Sequence, residues 1–137
     1  MKEVKIEKAL PEDAAELTKI SLEAKSFWHY PAAWLELWKN DLTITAAYIE
    51  ENHVYKLTDG PEIIGFCSIE TQDTVLEVAH LWIKPTNMGQ GLGKKLLNEV
   101  FQNRITSTSY SKVRVVSDPN AEGFYRKMGF KTVAQLE

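Results

Sequence analysis

Cysteine is nearly absent from these 137 residues. Cys67 stands alone, so no intrachain disulfide can form and the fold must be held by its core. It lies in the apolar run Ile63-Ile64-Gly65-Phe66-Cys67-Ser68-Ile69, where a small buried hydrophobe is expected rather than a catalytic thiol. A lone thiol fits a reducing compartment, and a cytoplasmic location is expected. No apolar run approaches the ~20 residues that cross a bilayer. The opening Met1-Lys2-Glu3-Val4-Lys5 is polar and does not read as a leader, so neither a membrane nor export is expected. Long basic runs are missing too, and the formal net charge is −3, so nucleic acid is not an expected partner. Repeats, linkers and low-complexity stretches are also lacking. What is present is ordinary for a globular chain, with 44% apolar and 26% charged residues. A single domain over 1–137 has room for a core of its own.

The hydrophobic pattern changes period along the chain. Val4, Ile6 and Lys8 alternate with charged residues, giving a strand over 3–9 that Pro11 closes. Pro11-Glu12-Asp13 then opens a helix with Ala14, Leu17, Ile20 and Ala24 on one face. Ser26 to Pro31 breaks it, because Pro31 turns Tyr30 away from helical geometry. Short helices follow at Ala32–Asn40 and Ala46–Glu51. Trp34 and Trp38, four residues apart, are expected to pack inward. From His53 the period is two: Val54–Leu57 and Ile63–Glu70 flank the turn Asp59-Gly60-Pro61 as a hairpin, and Val75–Ile83 is a third strand. After a glycine-rich turn at Gly89–Gly93 comes a helix with Leu92, Leu96, Val100 and Phe101 on one face. Val113–Val116 is a short strand with two inward valines, Ala121–Met128 a helix stopped by Gly129, and Lys131–Leu136 a last strand. Hairpins first and βαβ later give the α/β class, a mixed, mostly antiparallel sheet with helices on both faces.

The turn Met88-Gly89-Gln90-Gly91-Leu92-Gly93-Lys94 joins a strand to an amphipathic helix. Such a turn leaves backbone N–H groups unpaired at the positive end of the helix dipole, and glycine lets a diphosphate approach the chain closely. Two phosphate loops fail here. A P-loop requires Gly where Met88 stands and Ser or Thr where Lys95 stands, and a dinucleotide fingerprint starting at Gly91 requires Gly where Leu96 stands.

The stretch from Ile83-Lys84-Pro85 through Gly91-Leu92-Gly93 instead resembles the acetyl-CoA loop of GNAT acetyltransferases, Arg/Gln-x-x-Gly-x-Gly/Ala after a strand ending Val-x-Pro. It matches at Gly91 and Gly93 and departs at Met88, where Arg or Gln would stand. A second stretch, Asn120-Ala121-Glu122-Gly123-Phe124-Tyr125-Arg126-Lys127-Met128-Gly129-Phe130, is similar to the family's other hallmark, one βα unit later. The resemblance implies an acyl-CoA N-acyltransferase fold. It implies direct transfer of acetyl from acetyl-CoA, as cosubstrate, to a primary amine of a small molecule or peptide, without a metal. His29, His53 and His80 show no ligand spacing in any case.

The resemblance also assigns roles. Met88, Gly89, Gln90, Gly91, Leu92, Gly93 and Lys94 would hold the diphosphate, while backbone amides at Leu81, Trp82 and Ile83 would hold the pantetheine arm and the thioester oxygen. Asn120 would cap its helix and contact that arm. Tyr125, turned about 100° from the sheet-packing Phe124 and Met128, would protonate the leaving thiolate. Glu77, six residues before Ile83, stands at the offset of the family's glutamate base. His80 is the alternative base or water relay, or a packed histidine, and its parity with Glu77 sends the two to opposite sides of a regular strand. Trp28, His29 and Tyr30, in the loop between the first two helices, would touch the acceptor, as His80 would. Met88 leaves a second reading open: a CoA-binding sensor or interaction module that has kept the fold without turnover. Only Glu137 follows the last expected strand, where family members add one more, so an exposed sheet edge and a homodimer are expected.

Overall fold

The structure is a computed structural model and describes residues 4–27, 30–104, 112–115 and 122–127. The chain begins with strand β1 (Val4–Lys8), a 3-10 turn at Pro11–Asp13, and helices α1 (Ala14–Ser26), α2 (Ala32–Leu42) and α3 (Ala46–Glu51). Strands β2 (His53–Asp59), β3 (Glu62–Gln72) and β4 (Val75–Ile83) follow, then a 3-10 turn at Pro85–Asn87 and helix α4 (Leu92–Glu99), which runs on as a π-helical turn at Val100–Arg104. Strand β5 (Lys112–Val115) and helix α5 (Glu122–Lys127) complete the described elements. The expected strand at Lys131–Leu136, and with it the expected exposed edge, lies outside the described residues, as do Trp28, His29, Asn120 and Met128.

The five strands form one sheet in the order β1-β2-β3-β4-β5. The first three pairings are antiparallel and β4–β5 is parallel, which is the mixed sheet the pattern predicts. Apolar cores fill both faces. On one, Leu17 and Ile20 of α1 and Ile49 of α3 close over Val54 and Phe66. On the other, Leu92, Leu96, Leu97 and Val100 close over Leu57, Cys67, Ile69, Leu76 and Val78. Cys67 has no exposure, and burial pushes its thiol up to about 12, so it is the inert small hydrophobe its context implies. No helix among the described residues is long and apolar enough to cross a membrane.

Polar pins fix the α1–α3 layer. The Thr18 hydroxyl accepts from Ile44 N–H at 2.9 Å, and the Lys56 ammonium meets Asp13 at 2.9 Å. Trp34 of α2 departs from the expectation, whereas Trp38 is half-buried. Trp34 is 49% exposed, and it stacks on the surface with Tyr30 and Trp38 instead of entering the core. The one fully buried residue of α2 is Leu42, while Leu35 and Trp38 are half-buried and Trp38 lies under the Lys25 ammonium of α1. Of the two β5 valines, Val115 packs on the core whereas Val113 is 41% exposed.

The largest correction lies inside β4. Ser68 pairs with His80 and Ile69 with Val78, so Ala79 is an extra, unpaired residue, a β-bulge. Beyond a bulge the alternation restarts. Glu77 sits opposite Glu70 and His80 opposite Ser68, and Ser68 and Glu70 share a face of β3. Glu77 and His80 therefore face the same side, toward α1–α3, not opposite sides as the parity of an unbroken strand requires.

Candidate active site

The glycine loop forms as the sequence dictates. Pro85 ends β4 and starts the 3-10 turn, while Gly89 (φ 81°) and Gly91 (φ 73°) take left-handed backbone that other residues adopt at a cost. Gly91 caps α4 without any side-chain hydrogen bond, and Lys95 N–H is the donor to its carbonyl, at 3.1 Å. The amides of Leu92, Gly93 and Lys94 precede the first α-helical donor and so find no partner within the helix. Gly89, Gln90, Gly91 and Lys94 are exposed, and a side chain added at Gly89 or Gly91 would meet nothing within 4 Å. The loop is an open cradle of donors at a helix N-terminus, the chemistry a diphosphate requires. Met88 is half-buried beside it.

Gly93 has a second use. A Cβ there would stand 3.3 Å from the Phe124 ring, so α5 packs directly on the first turn of α4. That contact docks α5, the helix that carries Tyr125, on α4. Phe124 packs on the core cluster as expected, half-buried and against Gly93, whereas Tyr125, expected to turn away from it, is 8% exposed and belongs to the same cluster, with Cys67. Burial first, and Cys67 second, push its phenol well above the ordinary tyrosine range. It stays protonated, which an acid needs.

Leu81 and Ile83 pack on the α4 side of β4, and Trp82 on the α1–α3 side. The parallel ladder to β5 runs from Val75 to Val78, so Ala79–Ile83 have no β5 partner among the described residues. The bulge stands next to the last pair of that ladder among the described residues.

On the α1–α3 side a polar network runs along β3 and β4. Trp82 Nε1–H donates to His80 Nδ1 at 3.0 Å, which puts the proton of a neutral His80 on Nε2. Burial lowers the His80 pKa, partly offset by the charges of Glu70 and Asp41. His80 is therefore a neutral donor at Nε2, and in this geometry it has no vacant nitrogen with which to take a proton. Glu77 binds Arg114 of β5 through one oxygen: Oε1 accepts from Nε at 2.8 Å and lies 2.7 Å from a second guanidinium nitrogen. Its Oε2 has no partner among the described residues. Glu70, Thr71, Gln72, Val75, Glu77 and Arg114 line a depression of about 230 Å³.

Three members of this network were not singled out from the sequence. Tyr48 of α3 donates its hydroxyl proton to Glu70 Oε2 at 2.6 Å and lies 2.9 Å from Ser68 Oγ. The available signal was Ser68 and Glu70, polar at alternate positions of a strand otherwise buried. Tyr30 is half-buried under the Lys25 ammonium, which also caps Trp38 at 4.4 Å. Among the described residues no group of three or more His, Cys, Asp or Glu is placed to hold a metal ion.

A family model described as an acetyltransferase (GNAT) domain matches residues 15–137. Among solved structures, the chain is similar to the PaiA N-acetyltransferase of Thermoplasma acidophilum in complex with coenzyme A. The TM-score is 0.80 at 22% identity, over 94% of this chain and 90% of that one. It is also similar to a GCN5-related N-acetyltransferase from Ralstonia eutropha JMP134, with a TM-score of 0.76 at 10% identity over 98% and 97% of the two chains. A possible acetyltransferase from Clostridium difficile 630 gives 0.75 at 10% identity over 98% and 94%. These likenesses establish the fold. No curated protein matches the chain.

Proposed function

The chain belongs to the GNAT acetyltransferase family, and we propose that it works as a single-domain N-acetyltransferase moving acetyl from acetyl-CoA to a primary amine. One observation carries the reading: an open cradle of amides at the start of α4, on whose first turn the Phe124 ring packs, so that α5, the helix carrying Tyr125, is docked on α4. A binding loop alone needs no protonated phenol on the helix docked against it.

The backbone of Gly89–Lys94 holds the diphosphate, with Met88 contributing contact but no polar side chain. The amides of Leu81, Trp82 and Ile83, beyond the bulge and without β5 partners among the described residues, hold the pantetheine arm and the oxygen that gains charge as the thioester is attacked. Asn120 serves the same arm. Glu77 takes the proton of the incoming ammonium on Oε2, while Arg114 fixes its other oxygen. The nitrogen forms the amide bond, the C–S bond breaks, and Tyr125 delivers a proton to the departing thiolate. Trp28, His29 and Tyr30 wall the acceptor side, and His80 faces the acceptor as a donor through Nε2–H. The products are the acetamide, CoA thiol and one proton. Cytoplasmic location and a homodimer complete the proposal.

The test is purified protein, acetyl-CoA and a panel of primary amines, followed by CoA thiol release. Release with one or more amines supports the enzyme. Tight acetyl-CoA binding with no release across the panel would favour the sensor reading that Met88 leaves open.

A further inference from the structure

Tyr48 is tied into the polar face of the sheet by hydrogen bonds that leave one of its valences open. A phenol has one proton and two lone pairs. The proton is committed to Glu70 Oε2 at 2.6 Å, so the 2.9 Å contact with Ser68 has Ser68 as donor. One lone pair remains, and Tyr48 is half-buried, not sealed. Ser68 has no exposure and cannot reach a ligand itself. Glu70 stands directly across from Glu77 in the β3–β4 register, and both line the depression already described. The Glu77 charge acts on the Tyr48 phenol as well, which puts the two groups within electrostatic reach of one another. His80, edge-on to the Tyr48 ring at 6.1 Å, offers only a donor on this side.

We propose that Tyr48 Oη is the hydrogen-bond acceptor that seats the acceptor's ammonium, with Glu70 and Ser68 as positioning residues that aim its free lone pair. The inference rests on the acetyl-transfer reading and deepens it by naming the group that seats the primary ammonium, which brings at least two N–H groups. One goes to Glu77 Oε2, which later takes the proton, and one to Tyr48. The carboxylate behind Tyr48 draws on its O–H and makes the oxygen a stronger acceptor for a cation, because linked hydrogen bonds polarise one another. Ser68 closes off the other lone pair, so the direction left is fixed. Thr45 accepts from Tyr48 N–H at 3.0 Å at the start of α3, holding the residue that carries the phenol.

Tyr48→Phe and Glu70→Gln should each raise the amine KM while leaving the KM for acetyl-CoA unchanged. Glu70→Gln still accepts from Tyr48 and removes only the charge. A hydrogen bond to a charged group is worth about 10- to 100-fold in binding, and Tyr48→Phe should fall in that range. Glu77→Gln, as the comparator, should act mainly on kcat. A Tyr48 that serves only as packing predicts no change in either constant for Glu70→Gln, and that result, with the variant folded, overturns the proposal. Should Tyr48→Phe fail to fold, Glu70→Gln decides alone. A readout independent of turnover is the Tyr48 Cζ resonance of 13C-tyrosine-labelled protein titrated with n-butylamine. A shift is expected even if no amine is acetylated, in which case the transfer reading fails and this one stands. No shift at saturating amine overturns it.

Discussion

Gly91 offers the cleanest separation of charge from shape. Its φ of 73° is left-handed and an added Cβ meets nothing within 4 Å, so substitution costs backbone strain without a clash. Asn and Asp both tolerate this region, and the strain for each is about 1 kcal/mol. For a chain of this size that lowers Tm by roughly 3–5 °C. The two variants differ by one negative charge at the mouth of the cradle. Opposed to a diphosphate about 5 Å away, that charge costs about 1 kcal/mol in water-like surroundings and about 3 kcal/mol at an effective dielectric of about 20. Gly91→Asp should therefore bind acetyl-CoA about 5- to 150-fold more weakly than Gly91→Asn. Without ligand the order should not follow: a carboxylate near a helix N-terminus is welcome, so the Asp variant should be at least as stable as the Asn variant. Calorimetric titration gives the two Kd values. Thermal shift gives a second measure, since ligand at 100-fold its Kd stabilises by about 2.7 kcal/mol. The gap should narrow as salt rises. Equal Kd values at low salt would mean that no phosphate sits at Gly91, and the cradle reading would fall.

Much of the fold was legible because local rules and tertiary packing agree. Pro11, Pro31 and Pro85 punctuate where expected, α3 and β4 have the expected limits, and the period of α1 puts Leu17, Ile20 and Ala24 inside. The glycine loop was legible for the same reason, because only glycine adopts φ near 80° cheaply. Three readings went astray where a local rule met something nonlocal. Trp34 and Trp38 share a helical face, but Leu42 is the one fully buried residue of α2, so Trp34 stays at the surface and Trp38 reaches only half-burial under Lys25. Helical angle alone could not rank Phe124 and Tyr125. Gly93 decides, by giving the Phe124 ring a place on α4 and leaving the deeper one to Tyr125. Ala79 carries no mark of a bulge, and one unpaired residue was enough to bring Glu77 and His80 to one face. Tyr48 and Glu70 lie 22 residues apart and only folding joins them.

Tyr125→Phe should lower kcat while acetyl-CoA affinity stays close to wild type, since the ring remains packed and only the O–H is lost. The loss should lie near the lower end of the 10²–10⁴-fold range of acid catalysis, and a wild-type kcat with chemistry shown to limit the rate would make Tyr125 structural. His80 and His53 both titrate below their ordinary value through burial. The unfolded chain then binds more protons in that window, and stability rises with pH through it. Tm should fall as pH drops from about 7 toward 5, less steeply in His80→Gln than in wild type, and parallel curves would remove His80 from the account. Deleting Ala79 tests the bulge itself. In a regular strand a one-residue deletion throws one half onto the wrong face. Leu76 and Val78, now 0% and 3% exposed, would leave the core at about 1.5–3 kcal/mol each, enough to unfold a marginal domain. With Ala79 as a bulge, deletion joins Val78 to His80, whose partners Ile69 and Ser68 are already adjacent on β3. Every side chain keeps its face, and the variant should retain a cooperative unfolding transition. What it loses is the kink beyond which β4 has no described partner in β5, and with it the seat of the thioester. Folded protein without acetyl transfer is the expected outcome. An unfolded variant would restore the regular strand and return Glu77 and His80 to opposite sides of the sheet.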